Sequence, residues 1–292
     1  MKQRVKKIVI PIAGMGTRLL PFCKVVPKHF VPLLNKPVIQ WIVEEVVKSG
    51  IKEVIFVSDR RNYAITRDHF QPSPRLEENL RQSGKKDLLD DIRKISRLAK
   101  FRFVFQNEPK GNGHAVLYAK KLVGNEPFAM SWGDHLLLSR TSKPLFKQLI
   151  EVFAKYGQSV LNLNQTNDVG TTKYGIVNPK LVKNRLYQIL SVVEKPGVEA
   201  ALSRLALLGM YLFTPKIFDI LEKTPPGKNQ EIWLADAINT LCQKEKVYGL
   251  VTDNNDFDAG NKLGYITSNI TLGLSDPEIK DELKQWLTSI KF

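Results

Sequence analysis

Two glycines and several basic side chains follow the first apolar run of the sequence. Gly14 and Gly16 stand in the stretch GMGTR, and Arg18, Lys24 and Lys28 come shortly after them. Glycines at a strand-to-helix turn let backbone N–H groups approach phosphate oxygens, while arginine and lysine supply positive charge. The spacing matches neither the P-loop nor the dinucleotide fingerprint. The pattern indicates a phosphate-binding turn, with a tight turn that binds nothing as the alternative.

Two further turns carry polar groups after strand-like runs. Gln106, Gly111 and Gly113 belong to QNEPKGNGHAV, and Gly133 precedes Asp134 directly after PFAMSW. An aspartate at the carboxyl end of a strand can hold Mg²⁺ on a bound phosphate, because that ion prefers one or two carboxylates together with substrate oxygens and water. A helix or turn cap is the alternative interpretation of Asp134.

Apolar periodicity predicts the elements that must position these groups. The first half alternates strand-like and helical patterns, the former at 8–12, 53–58, 101–106 and 127–132 and the latter at 37–50, 75–98 and 114–122. Pro37 suits the first helical position and Gly50 the helix stop. Such alternation predicts a parallel sheet whose ligands bind beyond the carboxyl ends of its strands. The second half is mixed, with strand-like runs at 159–164, 174–178, 186–195 and 206–213 and helical patterns at 231–243 and 276–290.

The chain of 292 residues has no linker rich in Pro, Gly or Ser and no internal repeat. With 43% apolar and 25% charged residues, it has the composition of an ordinary globular protein. We predict one α/β domain with a doubly wound mixed sheet. Its first half would cover about 1–135, its second half about 136–270, and a helical extension about 271–292.

Charge and cysteine content narrow the classes of function. Lys and Arg number 44 against 29 Asp and Glu, a formal net charge of +15 that is compatible with an anionic partner. No nucleic-acid-binding module accompanies that charge. No stretch approaches the roughly 20 apolar residues of a membrane span, and the first residues do not suit a signal peptide. Two cysteines are too few for a Cys-based metal site or a disulfide framework. We expect a cytoplasmic protein without nucleic-acid or membrane partners.

Ten motifs, which occur along the chain in a fixed order, carry a specific resemblance to a known family. They are GMGTRLLPFCKVVPKHFVPLLNKPVIQ, VSDRRNYAITRDHF, PRLEENL, QNEPKGNGHAV, GDH, YGIV, VVEKP, LGMYLF, EIWLADAI and FDAGNKLGY. The chain thereby resembles the bacterial UTP–glucose-1-phosphate uridylyltransferases, within the sugar-1-phosphate nucleotidylyltransferase family. The resemblance implies a Rossmann-like fold of the nucleotide-diphospho-sugar transferase type. It also implies Mg²⁺-dependent transfer of UMP from UTP to glucose 1-phosphate, giving UDP-glucose and pyrophosphate.

The resemblance implies functional roles for the residues that stand at the matching positions of this chain. It implies catalytic roles for Arg18 and Lys28, and metal binding by Asp134 and Asp258. The implied nucleotide-binding residues are Ala13, Gly14, Gly16, Gln106, Gly111 and Gly113, with Gln106 and the backbone of Ala13 and Gly113 against the uracil. The implied sugar-phosphate residues are Gly175, Glu194 and Lys195.

The chemistry of such a transfer agrees with these residue types. A sugar 1-phosphate is already an anionic nucleophile near neutral pH, since its second phosphate pKa is about 6, so no catalytic base is required. The reaction needs charge neutralisation and in-line placement. Glu194 and Lys195 are adjacent, and neighbours on a strand point to opposite faces. We therefore expect one of the two to lie at a bulge or strand end.

The sequence also departs from the motifs that it resembles. The departures are His29 for Glu, Asn112 for Leu, His135 for an acidic residue, Met210 for Arg, and Trp233-Leu234-Ala235-Asp236 for Gln-Leu-Thr-Asp. None removes an expected phosphate or metal group, but they bear on sugar specificity and turnover. The alternatives are a sister enzyme for another sugar or nucleotide, and a non-catalytic nucleotide or sugar-phosphate sensor. We expect UTP and a sugar 1-phosphate as partners, and a homo-oligomer of two or four copies.

Overall fold

The computed structural model describes residues 4–227 and 230–290. Its strands are β1 (Lys7–Pro11), β2 (Pro32–Leu33), β3 (Lys36–Pro37), β4 (Glu53–Ser58), β5 (Lys100–Phe105), β6 (Phe128–Ser131), β7 (His135–Ser139), β8 (Val160–Gln165), β9 (Gly175–Lys183), β10 (Leu186–Glu194), β11 (Leu205–Phe213), β12 (Val247–Val251) and β13 (Asn254–Asp258). Its helices are α1 (Val38–Lys48), α2 (Arg60–Phe70), α3 (Pro74–Gln82), α4 (Lys86–Ser96), α5 (Asn112–Tyr118), α6 (Lys120–Val123), α7 (Leu145–Tyr156), α8 (Asp168–Thr171), α9 (Gly197–Ala200), α10 (Lys216–Leu221), α11 (Leu234–Lys244), α12 (Lys262–Gly273) and α13 (Lys280–Ser289).

Four parallel strands in the order β5-β4-β1-β6 form one part of a nine-stranded sheet. Side chains along a strand point alternately to the two faces. Ile8 and Ile10 of β1 enter a core with Ile39 of α1, whereas Val9 enters a second core with Val116 of α5. Because helices cover both faces, every position can be apolar, which explains the continuous apolar run of β1. The doubly wound parallel half is confirmed.

The second half continues the same sheet with mixed strand directions. The order goes on as β6-β11-β8-β12-β10-β9. Strand β11 runs antiparallel to both β6 and β8, and all nine of its residues are buried. Strand β12 runs parallel to β8, while β9 and β10 form an antiparallel hairpin at the sheet edge. A separate two-stranded sheet pairs β7 with β13, which joins segments far apart in sequence.

Several local predictions need correction. The helical stretch at 75–98 is two helices, α3 and α4, separated at Gly84, whose φ of 70° suits glycine. Pro37 is not the first helical residue, because its ψ of 146° is extended and α1 begins after it. Helix α2, capped by the Asp59 side chain, was not predicted from its polar sequence. The predicted strand 101–106 ends one residue earlier, so Gln106 follows β5 instead of ending it.

Helices α12 and α13 follow the last strand. The helical pattern predicted at 276–290 is α13, and residues 291 and 292 of the predicted extension lie outside the described residues. Within 4–227 and 230–290, no helix is both long and apolar enough to cross a membrane. The division of the single domain into a nucleotide half and a sugar half stays a prediction.

Candidate active site

A cavity of about 500 Å³ opens beyond the carboxyl ends of β1, β5 and β6 and reaches the hairpin of β9 and β10. The predicted site residues that line it are Ala13, Gly14, Arg18, Lys28, Gln106, Gly111, Asp134, Gly175, Glu194 and Lys195. Gly16, Gly113 and Asp258 do not line it. The fold therefore brings most of the predicted residues to one place, although their roles stay predictions.

The glycine turn after β1 holds Lys28 at one end of the cavity. A Cβ on Gly14 would lie 3.1 Å from Cε of Lys28, so the missing side chain lets the lysine lie against the turn. Gly16 has a φ of 65°, and a Cβ there would lie 2.8 Å from Sγ of Cys23. Gly16 thus allows the turn to close, while Gly14 leaves room beside the cavity.

Lys28 and Asp134 form an ion pair at this end, which we call the phosphate end. Nζ of Lys28 donates to Oδ2 of Asp134 over 2.7 Å, and both side chains are largely buried. Burial, the largest single effect, favours the neutral acid, but the charge and hydrogen bond of Lys28, together with the charges of His135 and Arg18, hold the pKa of Asp134 below its ordinary value. Asp134 is therefore an anion at neutral pH, and Lys28 is within reach of any group that Asp134 binds.

The two predicted metal ligands, Asp134 and Asp258, both lie close to Gly260. A Cβ there would lie 3.0 Å from Oδ1 of Asp258, 3.5 Å from Oδ2 of Asp134 and 3.6 Å from Nη2 of Arg18. Asp258 ends β13, and its carboxylate accepts hydrogen bonds from the Gly260 N–H over 2.9 Å and from Nδ2 of Asn261 over 2.8 Å. The pair of carboxylates predicted from sequence is thus assembled, with Arg18 beside it.

His135, one of the departures from the resembled motifs, pairs with Asp256. Its Nε2 lies 2.5 Å from Oδ1 of Asp256, across the sheet of β7 and β13. Burial alone would lower the pKa of His135, but the hydrogen bond and charge of Asp256 raise it above its ordinary value. In the described part of the chain, no cluster of three His, Cys, Asp or Glu side chains is arranged to hold a metal ion. A metal here would depend on the two carboxylates and on substrate oxygens.

The opposite end of the cavity, which we call the sugar end, is built by the hairpin of β9 and β10. Glu194 is the last residue of β10 and pairs with Gly175, the first residue of β9. A Cβ on Gly175 would lie 3.1 Å from Oε2 of Glu194, so glycine leaves room for the carboxylate. Lys195 has a φ of 48° and leaves the strand, and its Nζ lies 3.3 Å from Oε1 of Glu194. The expected strand end between the two residues is confirmed.

The second glycine loop packs against a segment distant in sequence. Gly111 has a φ of 102°, and a Cβ there would lie 2.6 Å from the carbonyl oxygen of Ile232. The Gly113 N–H donates to that same oxygen over 2.9 Å. These glycines let a distant segment pack against the loop, and the N–H of Gly113 is not free to meet a base. That the backbone of Gly113 lies against uracil stays a prediction.

The model of the nucleotidyl transferase family matches residues 7–273. The chain belongs to the nucleotidyl transferase family. It is 40% identical over 288 residues to a UTP–glucose-1-phosphate uridylyltransferase of Bacillus subtilis strain 168, covering 99% of this chain and 98% of that protein. It is 41% identical to the protein of the same name from Staphylococcus haemolyticus, over the whole length of both.

Solved structures agree with this membership. The UTP-bound UGPase from Acinetobacter baumannii has a TM-score of 0.91 at 34% identity, covering 98% of this chain and 100% of that chain. A UDP-glucose pyrophosphorylase complexed with UDP-glucose has a TM-score of 0.85 at 34% identity, covering 93% of this chain and 100% of that chain. The predicted resemblance and fold class are confirmed.

Sequence reasoning missed part of the wall of this nucleotidyl transferase cavity. Trp132, Lys173, Tyr211 and Leu207 line it, and Nζ of Lys195 lies 5.1 Å from the centre of the Trp233 ring. Trp132 follows β6 directly, so its place at a strand end was a usable signal. Tyr211 and Leu207 lie inside the fully buried β11, where apolar residues are expected in any case.

Proposed function

We propose that this nucleotidyl transferase transfers UMP from UTP to glucose 1-phosphate, giving UDP-glucose and pyrophosphate. One observation carries the proposal: a single cavity joins the cationic phosphate end, with Arg18 and Lys28, to a sugar end formed by Glu194 and Lys195. Relatives named for this activity match the chain over nearly its whole length. Both substrates are anionic and glucose 1-phosphate carries a hexose, which agrees with a cavity that has cationic side chains and, at one end, the polar pair Glu194 and Lys195.

The phosphate end would neutralise charge instead of abstracting a proton. The sugar phosphate carries its own anionic oxygen near neutral pH, because its second phosphate pKa is about 6. Arg18 and Lys28 would hold the triphosphate in line with that oxygen, and Lys28 would meet the charge that shifts in the transition state. Lys28 is held in place by Asp134 at 2.7 Å, so it is positioned before substrate arrives.

Asp134 and Asp258 fit a divalent cation, and we propose Mg²⁺. Their oxygens surround one point beside Gly260, and two carboxylates with substrate oxygens and water form the ligand set that Mg²⁺ prefers. The bound ion would supply positive charge to the phosphate oxygens. Because Asp134 follows β6 and Asp258 ends β13, this ligand pair would join the phosphate end to a segment late in the chain.

At the sugar end, Glu194 would accept hydrogen bonds from sugar hydroxyls and Lys195 would meet the phosphate of the sugar. Burial raises the pKa of Glu194 above its ordinary value, and Lys195 offsets only part of that effect. A buried carboxylate with unused acceptor sites gains from hydroxyl donors. Gly175 has no side chain, so it leaves room for the Glu194 carboxylate and would leave room for a hexose bound to that carboxylate.

We propose that Gln106 selects the base. It lines the cavity just beyond β5, and its amide carries both donors and an acceptor. The amide can therefore accept from the N3–H of uracil and donate to a neighbouring carbonyl of uracil, whereas cytosine lacks that N3–H. An unpaired buried polar group costs roughly 1–3 kcal/mol, which corresponds to about one to two decades of preference for UTP over CTP. Measured kcat/KM values for the two nucleotides check this preference.

A pyrophosphate-release assay tests the proposed function directly. With UTP, glucose 1-phosphate and Mg²⁺, we expect turnover, and omission of any one of the three should abolish it. Turnover with another sugar phosphate or nucleotide in place of these would identify a sister enzyme. Ligand binding without product in every combination would identify a sensor and overturn the proposal.

We also propose that the enzyme acts in the cytoplasm as a dimer or tetramer. Cys23 and Cys242 are free thiols, which agrees with a reducing compartment. Leu263 and Ile266 of α12 and Trp286 of α13 expose more than half of their surface, as residues at subunit contacts do in an isolated chain. Analytical ultracentrifugation measures the number of subunits.

A further inference from the structure

Two segments of the cavity wall are joined to each other by hydrogen bonds. The first is the 109–113 loop beside the phosphate end, and the second is the 231–234 segment at the start of α11. The Ile232 N–H donates to the carbonyl of Lys110 over 2.8 Å, and the Gly113 N–H donates to the carbonyl of Ile232 over 2.9 Å. Both bonds are between backbone groups, so most side-chain changes leave them intact.

The third bond depends on a side chain. Oδ1 of Asn112 accepts from the N–H of Leu234 over 2.8 Å, although the two residues are 122 positions apart. Leu234 is the first residue of α11, and no side chain of the helix's own N-terminus caps it. The first N–H groups of a helix have no partner within the helix, and asparagine is among the best residues to supply one. Asn112 is thus the cap of α11, supplied from the opposite segment.

The capped helix end faces the sugar end of the cavity. Leu234 and Ala235 line the cavity, and Trp233, directly before the helix, has its ring 5.1 Å from Nζ of Lys195. Asn112 and Trp233 are two of the departures from the resembled motifs, where leucine and glutamine stand. Leucine has no acceptor and could not make this cap. Because Trp233 directly precedes Leu234, the bond from Leu234 to Asn112 places the two departures on neighbouring segments.

We propose that Asn112 is a positioning residue, which ties the 109–113 loop to the 231–234 segment and so fixes the wall next to Lys195. Its effect should fall on the sugar phosphate, because the wall that it holds lies at the sugar end. Arg18, Lys28 and Asp134, the proposed contacts of the triphosphate at the phosphate end, lie outside both segments. This inference rests on the proposed function for the assignment of the two ends.

Variants at Asn112 separate capping from packing. Asn112→Leu removes the acceptor and keeps the size, whereas Asn112→Asp keeps an oxygen at the same place. Glu45 offers a matched control, because its Oε1 accepts from the N–H of Leu145, the first residue of α7, over 3.0 Å. Helix α7 contributes no residue to the cavity wall, so Glu45→Leu removes a distant cap of the same kind away from the site.

We expect Asn112→Leu to raise the KM for glucose 1-phosphate about tenfold, with less than about a threefold change in the KM for UTP. Asn112→Asp should stay within about threefold of the parent protein for both substrates, since the cap is retained. Glu45→Leu should lower stability without separating the two KM values. Equal shifts for both substrates in Asn112→Leu, or the same selective shift in Glu45→Leu, would overturn the proposal.

Hydrogen exchange gives a readout that does not need turnover. The amide of Leu234 should exchange about tenfold faster in Asn112→Leu than in the parent protein, and Glu45→Leu should leave its exchange rate unchanged. Unchanged exchange in Asn112→Leu overturns the cap whatever the activity. Absence of pyrophosphate release by the parent protein would instead overturn the proposed function, so the two failures are distinguishable.

Discussion

The phosphate end and the sugar end of the cavity are built in different ways. At the phosphate end, Gly14, Gln106 and Asp134 each follow a strand of the parallel part of the sheet. At the sugar end, Glu194 and Gly175 face each other through the register of an antiparallel hairpin. Parallel strands bring their carboxyl ends to one edge whatever their other residues are. An antiparallel pair places its residues by register, which a single inserted residue would change.

The departures from the resembled motifs lie at both ends of the cavity. At the phosphate end, Arg18, Lys28 and the two aspartates are present, while His29 and His135, which adjoin Lys28 and Asp134, are departures. Asn112 accepts from the N–H of Leu234, directly after Trp233, so two further departures lie on neighbouring segments of the cavity wall. We therefore predict that the departures beside the phosphate end affect packing and stability, and that those near Lys195 bear on the sugar.

The largest expected effect comes from the two carboxylates at the phosphate end. Asp134→Asn and Asp258→Asn should each lower Mg²⁺-dependent kcat by about a thousandfold, because each removes half of the proposed protein ligands of one ion. The double variant should be little worse than either single one, since residues that act as a unit are not additive. Rates measured over a range of Mg²⁺ concentrations check this.

Asp253→Asn is the control for the aspartate pair, because Asp253 lies just before β13 and does not line the cavity. Its activity should match that of the parent protein. Cleanly multiplicative losses in the Asp134/Asp258 double variant would mean that the two carboxylates have independent roles.

The next effect concerns Lys28. Lys28→Ala should lower kcat about a hundredfold with little change in UTP affinity, because a preorganised charge acts mainly in the transition state. Stopped-flow or steady-state rates together with UTP binding by calorimetry measure both quantities. Lys24→Ala is the matched control, since Lys24 is exposed in the same loop and does not line the cavity. An unchanged kcat in Lys28→Ala would remove the role assigned to Lys28 in the transition state.

The sequence was most informative where local pattern alone places a residue. A glycine or aspartate in the turn that follows a buried strand is predicted to lie at the carboxyl edge of the sheet, and Gly14 and Asp134, each three residues after a strand, do so. The contact of Asn112 with Leu234 could not be predicted, because it depends on how two segments 122 residues apart approach each other. The same holds for Gly111, whose glycine serves the packing of Ile232 and not only a turn. Long-range packing, not local propensity, decides these positions.

A smaller and selective effect is expected at the sugar end. Glu194→Ala should raise the KM for glucose 1-phosphate about tenfold and lower kcat, because remote sugar contacts help to position the reacting oxygen. UTP affinity should stay nearly unchanged, as Glu194 belongs to the hairpin of β9 and β10. Kinetics with each substrate varied in turn check the split, and Glu199→Ala, an exposed change in α9, is the control. An equal loss of UTP affinity would move Glu194 out of the sugar end.

The smallest expected effect tests whether a departure beside the phosphate end changes stability instead of chemistry. His29 is fully buried next to Lys28, its Nε2 lies 2.9 Å from Oγ1 of Thr66, and its Nδ1 has no hydrogen-bond partner among the described residues. Burial, helped by the Lys28 charge, lowers the pKa of His29 to about 3. The second proton that would make this ring cationic would leave an N–H at Nδ1 buried without an acceptor, so the folded protein keeps His29 neutral.

The sign of the pH dependence follows from that depressed pKa. In the unfolded chain a histidine takes up a proton below about pH 6.5, while in the folded protein His29 stays neutral down to about pH 3. The unfolded state thus binds more protons in this window, and the free energy of unfolding should fall by up to about 1.4 kcal/mol per pH unit as the pH decreases. His29→Gln should flatten this slope in urea unfolding measured from pH 7 to pH 4. Burial also lowers the pKa of His69, so His69→Gln should remove only a smaller share of the slope. If His29→Gln keeps the parent slope and instead changes kcat at pH 7, the departure at His29 belongs to the chemistry of the phosphate end, and the division between the two ends fails there.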